Sequence, residues 1–304
     1  MGIGGLVVDN TVNAPLGASL SLNNLQTLTV LGGLTINNTG AITMNGGALD
    51  GIGAFSNSGM LTGKGAIAFS GTAVNNQGAT IHITGSKPQF TGPGGLDNQG
   101  IYITDPSTSI FSALTDETTG YQVGSAGDSY QIFGDFINNS QQNLLWDTSQ
   151  VDVEFSGGIN HNLAWPGVDN GPTYGAYTYN YAIGTLELDQ GDTLTLQPAN
   201  SAPSGALYLS DVQLDGAPAF DPNNPDDPTY LFNLRAFISA DVKNLSAGTP
   251  LNVYYDAYSS GDAYLDDQTY ALGNGGDLIP APEPSCVALA GAGAGLLLRQ
   301  RRRR

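Results

Sequence analysis

One short pattern recurs at a nearly constant interval in the first third of the chain, and it restricts the possible folds more than any other feature. Ile36-Asn37-Asn38-Thr39-Gly40, Phe55-Ser56-Asn57-Ser58-Gly59, Val74-Asn75-Asn76-Gln77-Gly78 and Leu96-Asp97-Asn98-Gln99-Gly100 each place an apolar residue four before a glycine and an asparagine two before it. The glycines are 19, 19 and 22 residues apart. A period near 20 with a fixed turn residue suits one coil of a parallel β-solenoid, since a coil that short buries its apolar face only against its neighbours. Gly40, Gly59, Gly78 and Gly100 then supply turn backbone, and Asn38, Asn57, Asn76 and Asn98 are expected to stack as a hydrogen-bonded corner ladder of structural role. A further match, Ile137-Asn138-Asn139-Ser140-Gln141, falls about two periods later.

Composition agrees with an all-β fold. Forty-two glycines and 16 prolines in 304 residues weaken helix interiors and favour turns. A helical solenoid is excluded on the expectation that no ten-residue stretch free of glycine carries helical periodicity. The repeat is similar to those of autotransporter passengers and bacterial filamentous adhesins, a resemblance that implies the same parallel β-helix over about a third of the chain.

Charge divides the chain into three. Residues 1–104 carry net −1, residues 105–284 carry −22, and the last 20 residues carry +5. An acidic body repels a phosphate backbone, which excludes nucleic-acid partners. All 14 tyrosines follow residue 100, so the acidic, Tyr-rich region 105–278 is a separate regime from the Asn/Gly-rich region 1–104. Strands are expected over 130–137, 150–155, 179–188, 192–197, 206–214, 231–240 and 251–258, either as irregular solenoid coils or as a β-sandwich. Continuation of the solenoid is the preferred reading, because residues 184–196 still read as two strands of similar phase.

Catalytic chemistry finds little support. Arg235 is the only arginine before the terminal cluster, and His82 and His161 lie in different segments without a nucleophile motif beside them. His82, between Ile81 and Ile83, reads as the outward residue of a strand. Asp221-Pro222-Asn223-Asn224-Pro225-Asp226-Asp227 collects oxygen ligands suited to Ca²⁺, but its prolines break the spacing of an EF-hand loop, so a solvated loop is expected. Trp165, Tyr174, Tyr177, Tyr179 and Tyr181 form either a sugar-stacking platform or the packed face of a strand. The lone Cys286 builds no disulfide framework or zinc site, and neither catalytic residues, metal ligands nor a cofactor are assigned.

Residues 279–304 change chemistry abruptly. Pro280-Ala281-Pro282-Glu283-Pro284 is a stiff spacer, residues 285–298 contain no charge, and Arg299, Arg301, Arg302, Arg303 and Arg304 follow. The uncharged stretch would make about 21 Å of helix, short for a bilayer core unless Arg299 snorkels. The arginines predict a cytoplasmic carboxyl end and an external body. This order resembles the PEP-CTERM sorting signal over about 25 residues. The resemblance implies that Pro282, Glu283 and Pro284 are recognised by an exosortase-type enzyme. It further implies a transient single-pass inner-membrane anchor and delivery of the body to the cell surface or exopolysaccharide matrix. Met1–Asn10 has neither the basic nor the apolar segment of the signal peptide that such proteins carry. The expected function is therefore a structural protein of the surface or matrix, with a glycan-binding adhesin and a polysaccharide-active enzyme as alternatives.

Overall fold

The computed structural model describes residues 4–8, 12–14, 17–199, 205–246, 248 and 250–281. Apolar residues alternate with polar ones in runs of three to five, such as Thr80–Thr84 with Ile81 and Ile83 buried, which gives strands with one face turned inward. Each coil supplies three strands, as in Thr80–Thr84, Gln89–Phe90 and Leu96–Asn98, and each pairs in parallel with its counterpart one coil on. The resulting stack of coils is a parallel β-solenoid with a three-sided cross-section. One side is a ten-stranded sheet from Val12–Ala14 to Val242–Asn244. The other two belong to a 17-stranded sheet, joined where long strands such as Ala41–Gly51 turn a corner.

The core is a set of columns along the axis. Phe69, Phe90 and Phe111 are aligned by strand register, with rings 5.7 and 5.6 Å apart at their centroids, and Phe55 stacks on Phe69 at 4.0 Å. Such contacts bury apolar area that no single coil could cover.

The acidic region continues the same solenoid. Ser129–Ile132 pairs with Thr148–Phe155, which pairs with Ile183–Leu188, then Gly205–Leu214, Leu251–Asp256 and Asp277–Ala281, all in parallel. No separate sandwich forms among the described residues. Two expectations are corrected. The segment 231–240 is helical: Pro228–Asp241 is a 14-residue α-helix, capped by Asp227 accepting the Thr229 amide, with Pro228 in its first turn. Its buried residues Tyr230, Leu234 and Ile238 recur every four positions, a helical stripe obscured by the aromatic and branched residues around it. The strand expected over 179–188 begins only at Ile183, because Tyr179 and Tyr181 have φ of 55° and 58°.

The far end differs from the rest. There the short strand Tyr270–Ala271 runs antiparallel to Asp277–Ala281, while the helix packs against Val242–Asn244 and Tyr270–Ala271. Among the described residues no helix is long and apolar enough to cross a membrane. The expected membrane segment 285–298, Pro282, Glu283, Pro284, Cys286 and all five terminal arginines lie outside the described residues.

Candidate functional site

The corner ladder exists, in a register that differs from the repeat pattern. Asn57 donates from Nδ2 to Asn75 Oδ1 at 2.8 Å, Asn75 to Asn98 Oδ1 at 2.8 Å, and Asn98 to Asp116 Oδ1 at 2.7 Å. All four side chains are fully buried. Asn75 stands in the ladder instead of Asn76, whose Nδ2 bonds Ser56, Ser58 and the Asn57 carbonyl from the side of the corner. Ile36 occupies the equivalent place in the first unit, so Asn38 is left exposed in the turn. The reason is turn length: Asn57 to buried Gly59 is two residues, whereas Asn75 to buried Ala79 is four. Counting back from the glycine therefore lands on different corners in alternate coils. Gly40, Gly59 and Gly100 are buried in these turns, and Gly78 is exposed with φ of 79°.

Asp116 closes this run of acceptors, taking a second bond at 2.5 Å from Gln122 Nε2 through Oδ2. Burial pushes its carboxyl up to about 7, against the opposing bonds from Asn98 and Gln122.

The aromatic segment divides into buried supports and one presented ring. Trp165 is fully buried, donates from Nε1 to the Tyr181 carbonyl at 3.1 Å, and meets Trp146 edge-on at 5.9 Å. Tyr181 is 6% exposed, packs its ring edge-on against Trp146, and donates to the Ser140 carbonyl at 2.8 Å. Tyr177 lies edge-on to Tyr208, whose ring stacks on Tyr254 at 4.8 Å. Only the backbone of Tyr174 is described, as the first residue of the 3-10 turn Tyr174–Tyr177. Tyr179, 60% exposed, stands between two open clefts of about 590 and 410 Å³. Its carbonyl accepts from Asn143 Nδ2 at 3.1 Å, which ties it to the neighbouring insertion that exposes Leu144 and Leu145. The strand-face reading of Tyr177, Tyr179 and Tyr181 is thus overturned: two tyrosines pack, and one is held out by left-handed backbone.

Other expected residues are dispersed. His82 faces outward and pairs with Asp105 at 2.7 Å across adjacent coils. His161 is buried a long way down the chain, donating from Nδ1 to the Gly134 carbonyl at 2.7 Å, with Nε2 3.5 Å from Asp192 Oδ1. Arg235 lies 6.0 Å over the Tyr270 ring. The segment 221–227 is a largely exposed loop in which Asp221 accepts from the Asn223 amide and Asp227 caps the helix. A closer set of carboxylates is one the sequence did not single out. Glu187, Asp189 and Asp215 bring ligand oxygens within 4.8 Å of one another on the outer face. Desolvation and then the charge of Glu154 raise both Glu187 and Asp189. Strand register assembles this group, because Glu154 stands opposite Glu187 and Phe155 opposite Leu188, which in turn stands opposite Leu214.

No family model, curated protein or solved structure matches this chain.

Proposed function

We propose that the chain is a non-catalytic structural protein of the cell surface or extracellular matrix, in which a rigid solenoid is carried to its site by a processed carboxyl-terminal signal. A solenoid fold alone does not decide between enzyme and scaffold, so the reading rests on how body and tail are joined. The observation that carries it is the position of the last strand. Asp277–Ala281 completes the terminal pairing, and the Pro-Glu-Pro spacer starts at the next residue, Pro282. A cut at that spacer would leave every described strand intact. The arginines would hold the carboxyl end in the cytoplasm while an exosortase-type enzyme met the stiff spacer outside.

The test fuses residues 279–304 to an exported reporter in a cell that carries such an enzyme. The intact tail should give a membrane-held precursor that matures to a shorter surface or released form. Replacing Arg299 and Arg301 to Arg304 by serine should give uncut secreted reporter. Equal processing of both removes the arginines from the mechanism, and absence of membrane association for either rejects the sorting reading.

Tyr179 favours a second reading, glycan binding by the mature body. An exposed phenol ring on a rigid aromatic base, between clefts bordered by Gln141, Asn143, Asn170 and Ser149, offers stacking and hydrogen bonding to a pyranose. A glycan array comparing the body with its Tyr179→Ala variant tests it. Binding that is lost in the variant, with melting unchanged, supports the reading.

A further inference from the structure

Near the terminal cap the solenoid brings together two carboxyl groups without a cation. Asp211 lies on Gly205–Leu214, and Asp262, only 2% exposed, lies in the 3-10 turn Gly261–Leu265 that packs on that strand. The two carboxyls are within hydrogen-bonding reach of each other. Oδ1 of Asp211 and Oδ2 of Asp262 are both buried, and neither receives a donor from the protein. The other Asp262 oxygen, Oδ1, accepts the Val212 amide at 2.8 Å, so the side chain is fixed in place. Glycine permits this closeness: a Cβ at Gly261 would stand 2.2 Å from Asp211 Oδ2.

The surroundings add acids and phenols. Asp256 and Tyr255 face the pair from Leu251–Asp256, Tyr264 from the same turn, and Tyr177 from the turn Tyr174–Tyr177. Tyr230, on the helix, donates to the Tyr264 carbonyl, and the helix's Arg235 is directed to the Tyr270 ring. Asp266 follows at the end of the turn. Among the described residues neither Asp211 nor Asp262 has a lysine or arginine partner.

Two ionised carboxylates in contact and out of water repel strongly, whereas one proton between them turns the repulsion into a hydrogen bond and satisfies a buried oxygen on each. We propose that Asp211 and Asp262 share one proton, and that this proton latches the turn Gly261–Leu265 onto Gly205–Leu214 to close the carboxyl-terminal end of the solenoid. Burial, then the bond to Asp211 and its charge, push Asp262 up to about 9, against the opposing Val212 amide. The sign follows: the folded state holds this proton more tightly than the unfolded chain, so the latch is closed at neutral pH. Its contribution declines as pH rises from the ordinary aspartate range through about 9. The device is independent of how the chain is sorted.

Infrared spectroscopy and amide exchange on the whole chain test it. At neutral pH the parent should show the carbonyl stretch of a neutral carboxylic acid that disappears in Asp262→Asn. Protection of the Val212 amide should fall with rising pH in the parent. In the variant it should stay level, since the carboxamide donates to Asp211 and still accepts from Val212. Asp211→Asn should behave alike, and it serves if Asp262→Asn does not fold. An identical neutral-pH spectrum in parent and variant overturns the proposal. So does a pH-independent protection of Val212 in the parent. Added Ca²⁺ that abolishes the acid band at neutral pH and raises the melting temperature would assign the pair to a cation instead.

Discussion

At the scale of single residues, the corner ladder is where small changes should be felt most. Removing the Asn57 carboxamide leaves Asn75 Oδ1 without its ladder donor and deprives the Gly59 amide of an acceptor 3.0 Å away. Each unsatisfied buried group costs about 1–3 kcal/mol. Gly78 is different: its φ is positive, yet nothing lies within 4 Å of a Cβ placed there, and Thr39 adopts φ of 63° in the turn two coils earlier. Gly78→Val should therefore cost only the left-handed strain, about 1–2 kcal/mol. Urea denaturation should rank Asn57→Ala as the more damaging change, the reverse of what a pattern centred on glycine implies. Asp116 offers a pH signature at the same corner. Its folded carboxyl titrates near 7 and its unfolded one near 3.8, so the folded state binds the proton more tightly across that interval. Stability should fall as pH rises from about 4 to about 7, with a slope of at most about 1.4 kcal/mol for each pH unit crossed. In Asp116→Asn the amide oxygen still accepts from Asn98 and the amide nitrogen can meet the unpartnered Gln122 Oε1. Melting curves across this range should therefore flatten in the variant, and an unchanged slope would place the titrating group elsewhere.

At the scale of elements, alternation was legible wherever a strand has one face in the core. Strands over 150–155, 192–197 and 206–214 correspond to Thr148–Phe155, Thr193–Pro198 and Gly205–Leu214. The segment 130–137 is two strands, Ser129–Ile132 and Phe136–Asn138, because the chain turns a solenoid corner between them. Corners carry little hydrophobic signal, so a pattern of alternating apolar residues runs through them unmarked. The helix Pro228–Asp241 was hidden for another reason. Tyr, Leu, Phe and Ile suit strands by propensity, and only the four-residue spacing of Tyr230, Leu234 and Ile238, with Asp227-Pro228 as a start, reveals the turn of a helix. The ladder register was missed by one residue at Asn75 because turns of two lengths alternate, and the count from glycine to asparagine measures the turn rather than the strand.

At the scale of the whole molecule, the two ends of the rod are unlike. Repeated parallel pairing is interrupted at the carboxyl end by the antiparallel strand Tyr270–Ala271 and by the helix packed beside it, which cover an edge that would otherwise add further strands. Because the described pairing is complete at Ala281, removing residues 282–304 should leave the melting temperature of the body unchanged. Removing residues 277–304 should lower it, since Asp277–Ala281 fills the last place against Leu251–Asp256. Calorimetry of the two truncations separates these outcomes, and a drop on the shorter deletion would mean that the tail stabilises the body.

The sequence by itself determined that coils near 20 residues stack in parallel, because a repeat of that length with polar turns has no other way to bury its apolar positions. It also determined where the chemistry of the chain changes, at the acidic region and again at the terminal block, since those are properties of composition and order. Tertiary structure decided which residues meet across coils. Asn57 reaches Asn75, Glu187 meets Asp215, and Asp262 reaches Asp211 because strand register converts separations of 18 to 51 residues into contacts a few ångströms long. Register depends on the summed fit of every side chain in neighbouring coils and on the length of each turn, quantities that no local stretch of sequence contains.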